Sequence, residues 1–105
     1  AAAVKLAPKD PRALYNLGLA LANVGRHQEA HDTLTLALKL RPDYPEAHNA
    51  LGLTHEAIGR KDDAQFHYQQ AVQFRPDFAD GWSNLGTNLG EQGRTDEAIH
   101  CLRHS

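Results

Sequence analysis

Residues 51–86 read LGLTHEAIGRKDDAQFHYQQAVQFRPDFADGWSNLG, opening and closing on the same pair, Leu51-Gly52 and Leu85-Gly86, thirty-four residues apart. The same interval leads back to Leu17-Gly18, and it also links Ala30, Ala64 and Ala98, and Pro42 and Pro76. A period of this size marks short units that cannot bury an apolar face alone; they stack in one dimension and present a broad binding surface. Three such units fill nearly all of the 105 residues, so no single central core is expected.

Each unit holds two apolar stretches at helical spacing, a Gly-containing turn between them and a Pro after the second. In the first, Leu14, Leu17, Gly18 and Leu21 share one helical face, and Ala30, Leu34, Ala37 and Leu38 share another. Gly25 separates the two, and Arg41-Pro42-Asp43 ends the hairpin because Pro disfavours helix in the residue before it. The second unit repeats the design with Leu51, Gly52 and His55, then Gly59, then Ala64, Tyr68, Ala71 and Val72, and Arg75-Pro76-Asp77. The third has Trp82, Leu85, Gly86 and Leu89, then Gly93, Ala98 and Leu102. The units fall at residues 11–44, 45–78 and 79–105, with residues 1–10 as the end of a preceding unit. The recurrent Gly and Ala positions are read as places where paired helices approach closely.

These residues resemble the tetratricopeptide repeat, whose pattern is Trp, two residues, Leu-Gly, two residues, Tyr, then Ala, three residues, an aromatic, and Pro. The third unit matches best, through Trp82, Leu85 and Gly86. Leu14 and His48 stand in the Trp slot, and Leu21, His55 and Leu89 in the Tyr slot, with His55 placing a polar ring on the core face. The resemblance implies an all-α, right-handed superhelical solenoid of antiparallel helix-turn-helix hairpins. It also implies a concave groove, lined by the first helix of each hairpin, that takes a peptide segment of a partner protein.

Taking 100° per residue, the outward face of those first helices carries Arg12, Tyr15, Asn16, Leu19 and Asn23 in the first unit. The second presents Glu46, Asn49, Ala50, Leu53 and Glu56, and the third Asp80, Ser83, Asn84, Thr87 and Glu91. Leu19 and Leu53 are apolar where a solvated face is polar, and beside Tyr15 and the amides they suit peptide anchoring; packing against the neighbouring helix is the alternative. Glu46, Glu56, Asp80 and Glu91 outnumber Arg12, which slightly favours a neutral or basic peptide. The cluster of Lys, Arg and Asn with which chaperone-tail receptors of the family clamp a carboxylate is absent from the corresponding slots, Tyr15, Leu19, Ala50, Asp80 and Asn84. The segment from Gly81 to Gly86, with Glu91-Gln92-Gly93-Arg94 and Asp96-Glu97-Ala98-Ile99, is similar to repeats of O-linked N-acetylglucosamine transferases. That likeness implies a groove asparagine ladder, met by Asn16 and Asn84 and interrupted at Ala50, and leaves a substrate-recognition part of such an enzyme as an alternative role.

Counted back from Pro11, Ala3 takes the slot of Ala37 and Pro8 that of Pro42, while Ser105 again takes the slot of Ala37. Beginning and ending inside one helix type, the chain is expected to be part of a longer array. Head-to-tail self-association through residues 1–7 and 96–105 is a third possible role, with Trp82 and Leu102 as apolar surface left by the last hairpin.

Net charge is −2 with pI near 6.4, so no basic field draws a nucleic acid backbone. No apolar run approaches the ~18 residues of a membrane span. The lone Cys101 excludes an internal disulfide and points to a reducing compartment, hence the cytoplasm, with the periplasm left open. Two histidine pairs, His27 with His31 and His100 with His104, are spaced i, i+4, but a structural zinc site takes four protein ligands and no metal is assigned. The pairs read as exposed residues of the convex side, and His55 as a hydrogen-bonded, partly buried neutral ring. With no phosphate loop and no nucleophile motif, neither a cofactor nor a catalytic residue is expected.

Overall fold

A computed structural model describes residues 10–104. Among them the backbone forms six helices and no strand: α1 (Pro11–Asn23), α2 (His27–Leu40), α3 (Pro45–Ala57), α4 (Lys61–Phe74), α5 (Ala79–Glu91) and α6 (Thr95–Leu102). They pair in sequence as antiparallel hairpins, and α2 packs on α3 and α4 on α5, which yields the expected all-α solenoid. The turn within each hairpin runs through Gly25, Gly59 or Gly93 at φ of 85°, 83° and 80°, a left-handed conformation in which a Cβ is strained. Proline opens α1 and α3 at the first turn, where its missing N–H is not needed, and the Asp10 carboxylate caps α1 by accepting from the Arg12 amide at 3.0 Å.

The repeated small residues have the steric role read from their period. A Cβ on Gly18 would stand 2.6 Å from Leu34 Cγ, and one on Gly86 would stand 2.9 Å from Leu102 Cγ and 3.2 Å from the Ala98 carbonyl. The facing alanines Ala30 and Ala64 are wholly buried. Between hairpins the core continues: Tyr68, Val72, Leu85, Leu89 and Cys101 form one cluster, and Leu34, Ala50 and Leu51 another, against which Tyr15, Leu19 and Leu38 pack. Each cluster spans two units, so no hairpin has a complete core of its own.

Trp82 packs on the first cluster, donates its indole N–H to the Pro76 carbonyl at 2.7 Å and stacks on His104 at 4.4 Å. Leu102 is exposed, whereas Trp82, expected beside it as uncovered surface, is half-buried. The N-terminal stub, residues 1–7, on which head-to-tail association depends, lies outside the described residues, as does Ser105.

Candidate functional site: a groove along the first helices

Beyond its sequential neighbours, α1 meets α3 directly and α3 meets α5, while α2, α4 and α6 make no comparable contact with one another. Helices that touch every second neighbour lie on the inside of a curved stack. The inner wall is therefore α1, α3 and α5.

An apolar pocket of about 190 Å³ opens between α1 and α3. Leu19, Ala22, Leu34, Ala50, Leu53 and Thr54 form its walls, with Asn23 and His27 alongside. Leu19 is half-buried against the Leu34, Ala50 and Leu51 cluster, whereas Leu53 is 48% exposed. The two leucines thus serve different ends: one completes inter-hairpin packing, the other presents apolar surface to solvent. Thr54 turns its hydroxyl back to the Ala50 carbonyl at 2.9 Å, which leaves its methyl as the lining.

Farther along the same wall, the Asn84 side-chain amide donates to Asn49 Oδ1 at 2.9 Å, tying α5 to α3. This cross-hairpin amide pair places Asn49, rather than Asn16, beside Asn84. Thr87 donates to the Ser83 carbonyl at 3.0 Å and is exposed, and Asp80 and Glu91 stand exposed near the two ends of α5.

The four groove acids are not equivalent. Glu46 Oε2 accepts from Arg75 at 3.1 Å, and Glu56 accepts from the Tyr68 hydroxyl, whereas Asp80 and Glu91 have no such partner among the described residues. Burial, followed by the Glu56 carboxylate, pushes the Tyr68 hydroxyl far above the usual phenol range, so it stays the donor. At the N-terminal edge of α1 and α3 lies a polar cleft of about 400 Å³ holding Arg12, Tyr15, Asn16, Arg41, Tyr44, Glu46 and Arg75. Arg41 and Arg75 were not among the residues read from the inner helix faces. They come from the two Arg-Pro-Asp turns, and only their thirty-four-residue phase hints that stacking would bring them to one edge.

Behind the groove sits an imidazole cluster. His48 Nε2 donates to the Pro42 carbonyl at 2.8 Å, so its Nδ1 carries the lone pair and accepts from His67 Nδ1, 3.2 Å away. His67 lies parallel to His55 with 5.2 Å between centroids, and His31 meets His55 edge-on at 5.1 Å. His31 is thus half-buried and not on the exposed convex surface expected for it. His55 is buried on the core face, but its Nδ1 has no hydrogen-bond partner among the described residues, contrary to the bonded ring expected there. Burial, then the neighbouring imidazoles, lowers His67 from the usual 6.5 to about 4. Burial also lowers His48 and His55. Among the described residues no three His, Cys, Asp or Glu side chains are placed to hold a metal ion. Cys101 is buried, which with the nearby Glu97 carboxylate pushes its thiol up and away from reactivity. No helix among the described residues is long and apolar enough to cross a membrane.

Comparison with known proteins agrees with this architecture. The family model described as tetratricopeptide repeat matches residues 10–77. A crystal structure of MamA superposes with a TM-score of 0.90 at 29% identity over 96% of this chain; the chain spans 59% of that protein. The second tetratricopeptide domain of Spaghetti (RPAP3), bound to the HSP90 peptide SRMEEVD, gives a TM-score of 0.87 at 14% identity, covering 91% of this chain and 89% of that one. MamA MSR-1 C2 gives 0.81 at 21% identity, with 96% and 58% covered. No curated protein matches significantly. The likeness to glycosyltransferase repeats is not confirmed by these comparisons.

Proposed function

Since the chain belongs to the tetratricopeptide repeat family, we propose that it is a protein-interaction module whose inner wall takes a peptide segment of a partner. The observation that carries this reading is the apolar pocket between α1 and α3, with half-exposed Leu53 at its wall and the Asn49 and Asn84 amides farther along. An apolar side chain entering the pocket loses water-exposed area, while amides beside it satisfy the peptide backbone; anchors flanked by hydrogen-bonding groups are how short segments are held. The peptide bound by the RPAP3 domain lends support by analogy of fold alone. Residues 11–44, 45–78 and 79–105 are the proposed units of the groove.

Around α5, Asp80 and Glu91, which make no ion pair among the described residues, favour neutral or basic peptide residues, because an approaching carboxylate meets like charge. The role is binding and not catalysis, and a reducing compartment such as the cytoplasm is its proposed setting. Leu53→Asp is expected to weaken capture of peptides from a display library by about thirtyfold, equivalent to roughly 2 kcal/mol of lost anchor energy. Leu53 is half-exposed, so the variant should keep its melting temperature within a few degrees. Undiminished capture by a folded Leu53→Asp protein would move the site away from this wall.

A further inference from the structure

We infer that the polar cleft at the first-hairpin end of the groove is a subsite for an acidic side chain of the bound peptide, recognised by Arg12 and Arg41 with Arg75 behind them. This deepens the peptide-groove reading and rests on it.

Three guanidiniums line the cleft with one carboxylate, that of Glu46, while the Asp10 carboxylate also acts on Tyr44 and Asp43 stands beside Arg41. The charges are not symmetrically matched. Arg75 is used: its NH1 donates to Glu46 at 3.1 Å. Arg41 lies with its guanidinium carbon 4.5 Å over the Tyr44 ring, a cation–π contact that restricts where the group can go. Its ionic neighbour Asp43 is 3.7 Å from Nε, too far for a hydrogen bond, and both side chains are about half-exposed or more. Arg12 makes no side-chain hydrogen bond among the described residues. The cleft thus holds one guanidinium seated on an aromatic ring and a second that makes no side-chain hydrogen bond among the described residues, both with donors to spare.

A planar carboxylate satisfies such donors in pairs, and a guanidinium already seated on a ring loses less freedom in binding it. Burial and the Glu46 charge raise the hydroxyls of Tyr15 and Tyr44, so both remain protonated donors to an oxyanion. Arg75 meets Glu46 at Oε2, and Glu46 Oε1 is buried and has no hydrogen-bond partner among the described residues, so the ligand carboxylate is taken from the Arg12 and Arg41 side. Arg12 and Tyr15 lie on α1, as does Leu19 of the apolar pocket. Leu19 follows Tyr15 by four residues, one helical turn of ~5.4 Å, so the acid and the apolar anchor must sit close together in the peptide. Acidic at this end and neutral or basic near α5, the preferred segment has a defined direction along the groove.

The test is selection of a random twelve-residue peptide display library on the wild type and on the double variant Arg12→Gln, Arg41→Gln, neither position being buried. Wild type is expected to enrich an apolar residue together with Asp or Glu at a fixed short spacing. The double variant should keep the apolar residue and lose the acidic one, with a drop of at least tenfold in affinity for a selected peptide and no drop for its Glu→Gln version. A phosphoserine version of that peptide distinguishes the two oxyanions: equal or weaker binding assigns a carboxylate site, and much tighter binding by wild type alone reassigns it to phosphate, overturning the carboxylate assignment. Apolar enrichment without an acid on wild type, or an acid preference that survives in the double variant, overturns the subsite and leaves the groove standing. No enrichment on either protein overturns the groove and the subsite with it.

Discussion

Gly52→Ala is expected to destabilise the protein by about 3 kcal/mol, the upper end of the usual range for overpacking a core, and to lower its melting temperature by roughly 15 °C. A single methyl has this effect because of what stands in front of it. The added Cβ would lie 2.6 Å from Cδ1 and 2.9 Å from Cζ of Tyr68, closer than nonbonded carbons approach. The ring cannot step aside. Tyr68 is fully buried among Ala64, Val72, Leu85 and Leu89, and its hydroxyl is tied to Glu56. Relief therefore requires α3 and α4 to separate, which loosens the junction with the third hairpin as well. Gly90→Ala is the matched control, also in a helix: its Cβ would meet only Ala98 Cβ, at an ordinary 3.8 Å. There the gain in helix propensity of about 0.5–1 kcal/mol should appear as unchanged or raised stability. Chemical denaturation of both variants decides it; equal stability of Gly52→Ala and wild type would refute the close α3–α4 crossing.

The second large effect is acid sensitivity of the imidazole cluster. His67 is lowered to about 4 in the folded chain and returns to about 6.5 when unfolded. Its contribution is fully present above pH 6.5 and is lost as pH falls toward 4, because in that window the unfolded chain binds a proton that the folded one refuses. Full linkage over that interval amounts to about 3.4 kcal/mol, and partial solvent access to the ring reduces it to roughly 2 kcal/mol. His48 and His55 act in the same direction. Burial is the main cause, and the contact adds to it: a proton on His48 Nδ1 would face the N–H of His67 across 3.2 Å. Asp63 on α4 opposes the shift of His55 and His67, and Arg60 reinforces that of His55; His31 on α2 lowers both further. Urea titrations at pH 7 and 4.5 should show this loss, and His67→Gln should make the pH dependence shallower. An unchanged slope in the variant would mean that carboxylates, not imidazoles, govern acid unfolding.

The period of thirty-four made the hairpins, their turns and the close glycine crossings legible, because these rest on contacts within one unit or between adjacent ones in fixed phase. Gly52 could be assigned to a crossing without knowing that Tyr68 fills it. That α1, α3 and α5 form the inner wall came from the family resemblance, and their contacts agree with it; which of their residues meet a peptide is the proposal. Charge was less legible. Glu46 and Glu56 read as free groove acids, but Arg75 lies twenty-nine residues from Glu46 and reaches it only through stacking. Arg41 reads only as part of a hairpin end and not as a groove residue, because turn residues belong to no helical face. His67 stands on α4, outside both histidine pairs, and nothing in its local pattern indicates that it meets His48 and His55. Sequence periodicity fixes which face a residue occupies; which partner reaches that face from the next unit depends on the superhelical stacking.

The central claim, that the inner wall receives a peptide, is tested most directly by amide chemical-shift mapping of the labelled protein with a library-selected peptide. The largest perturbations are expected at Leu19, Asn49, Ala50, Leu53 and Asn84, on the three inner helices around the apolar pocket and the amide pair. Perturbations confined to α2, α4 and α6, with these five residues unmoved at saturation, would contradict the claim.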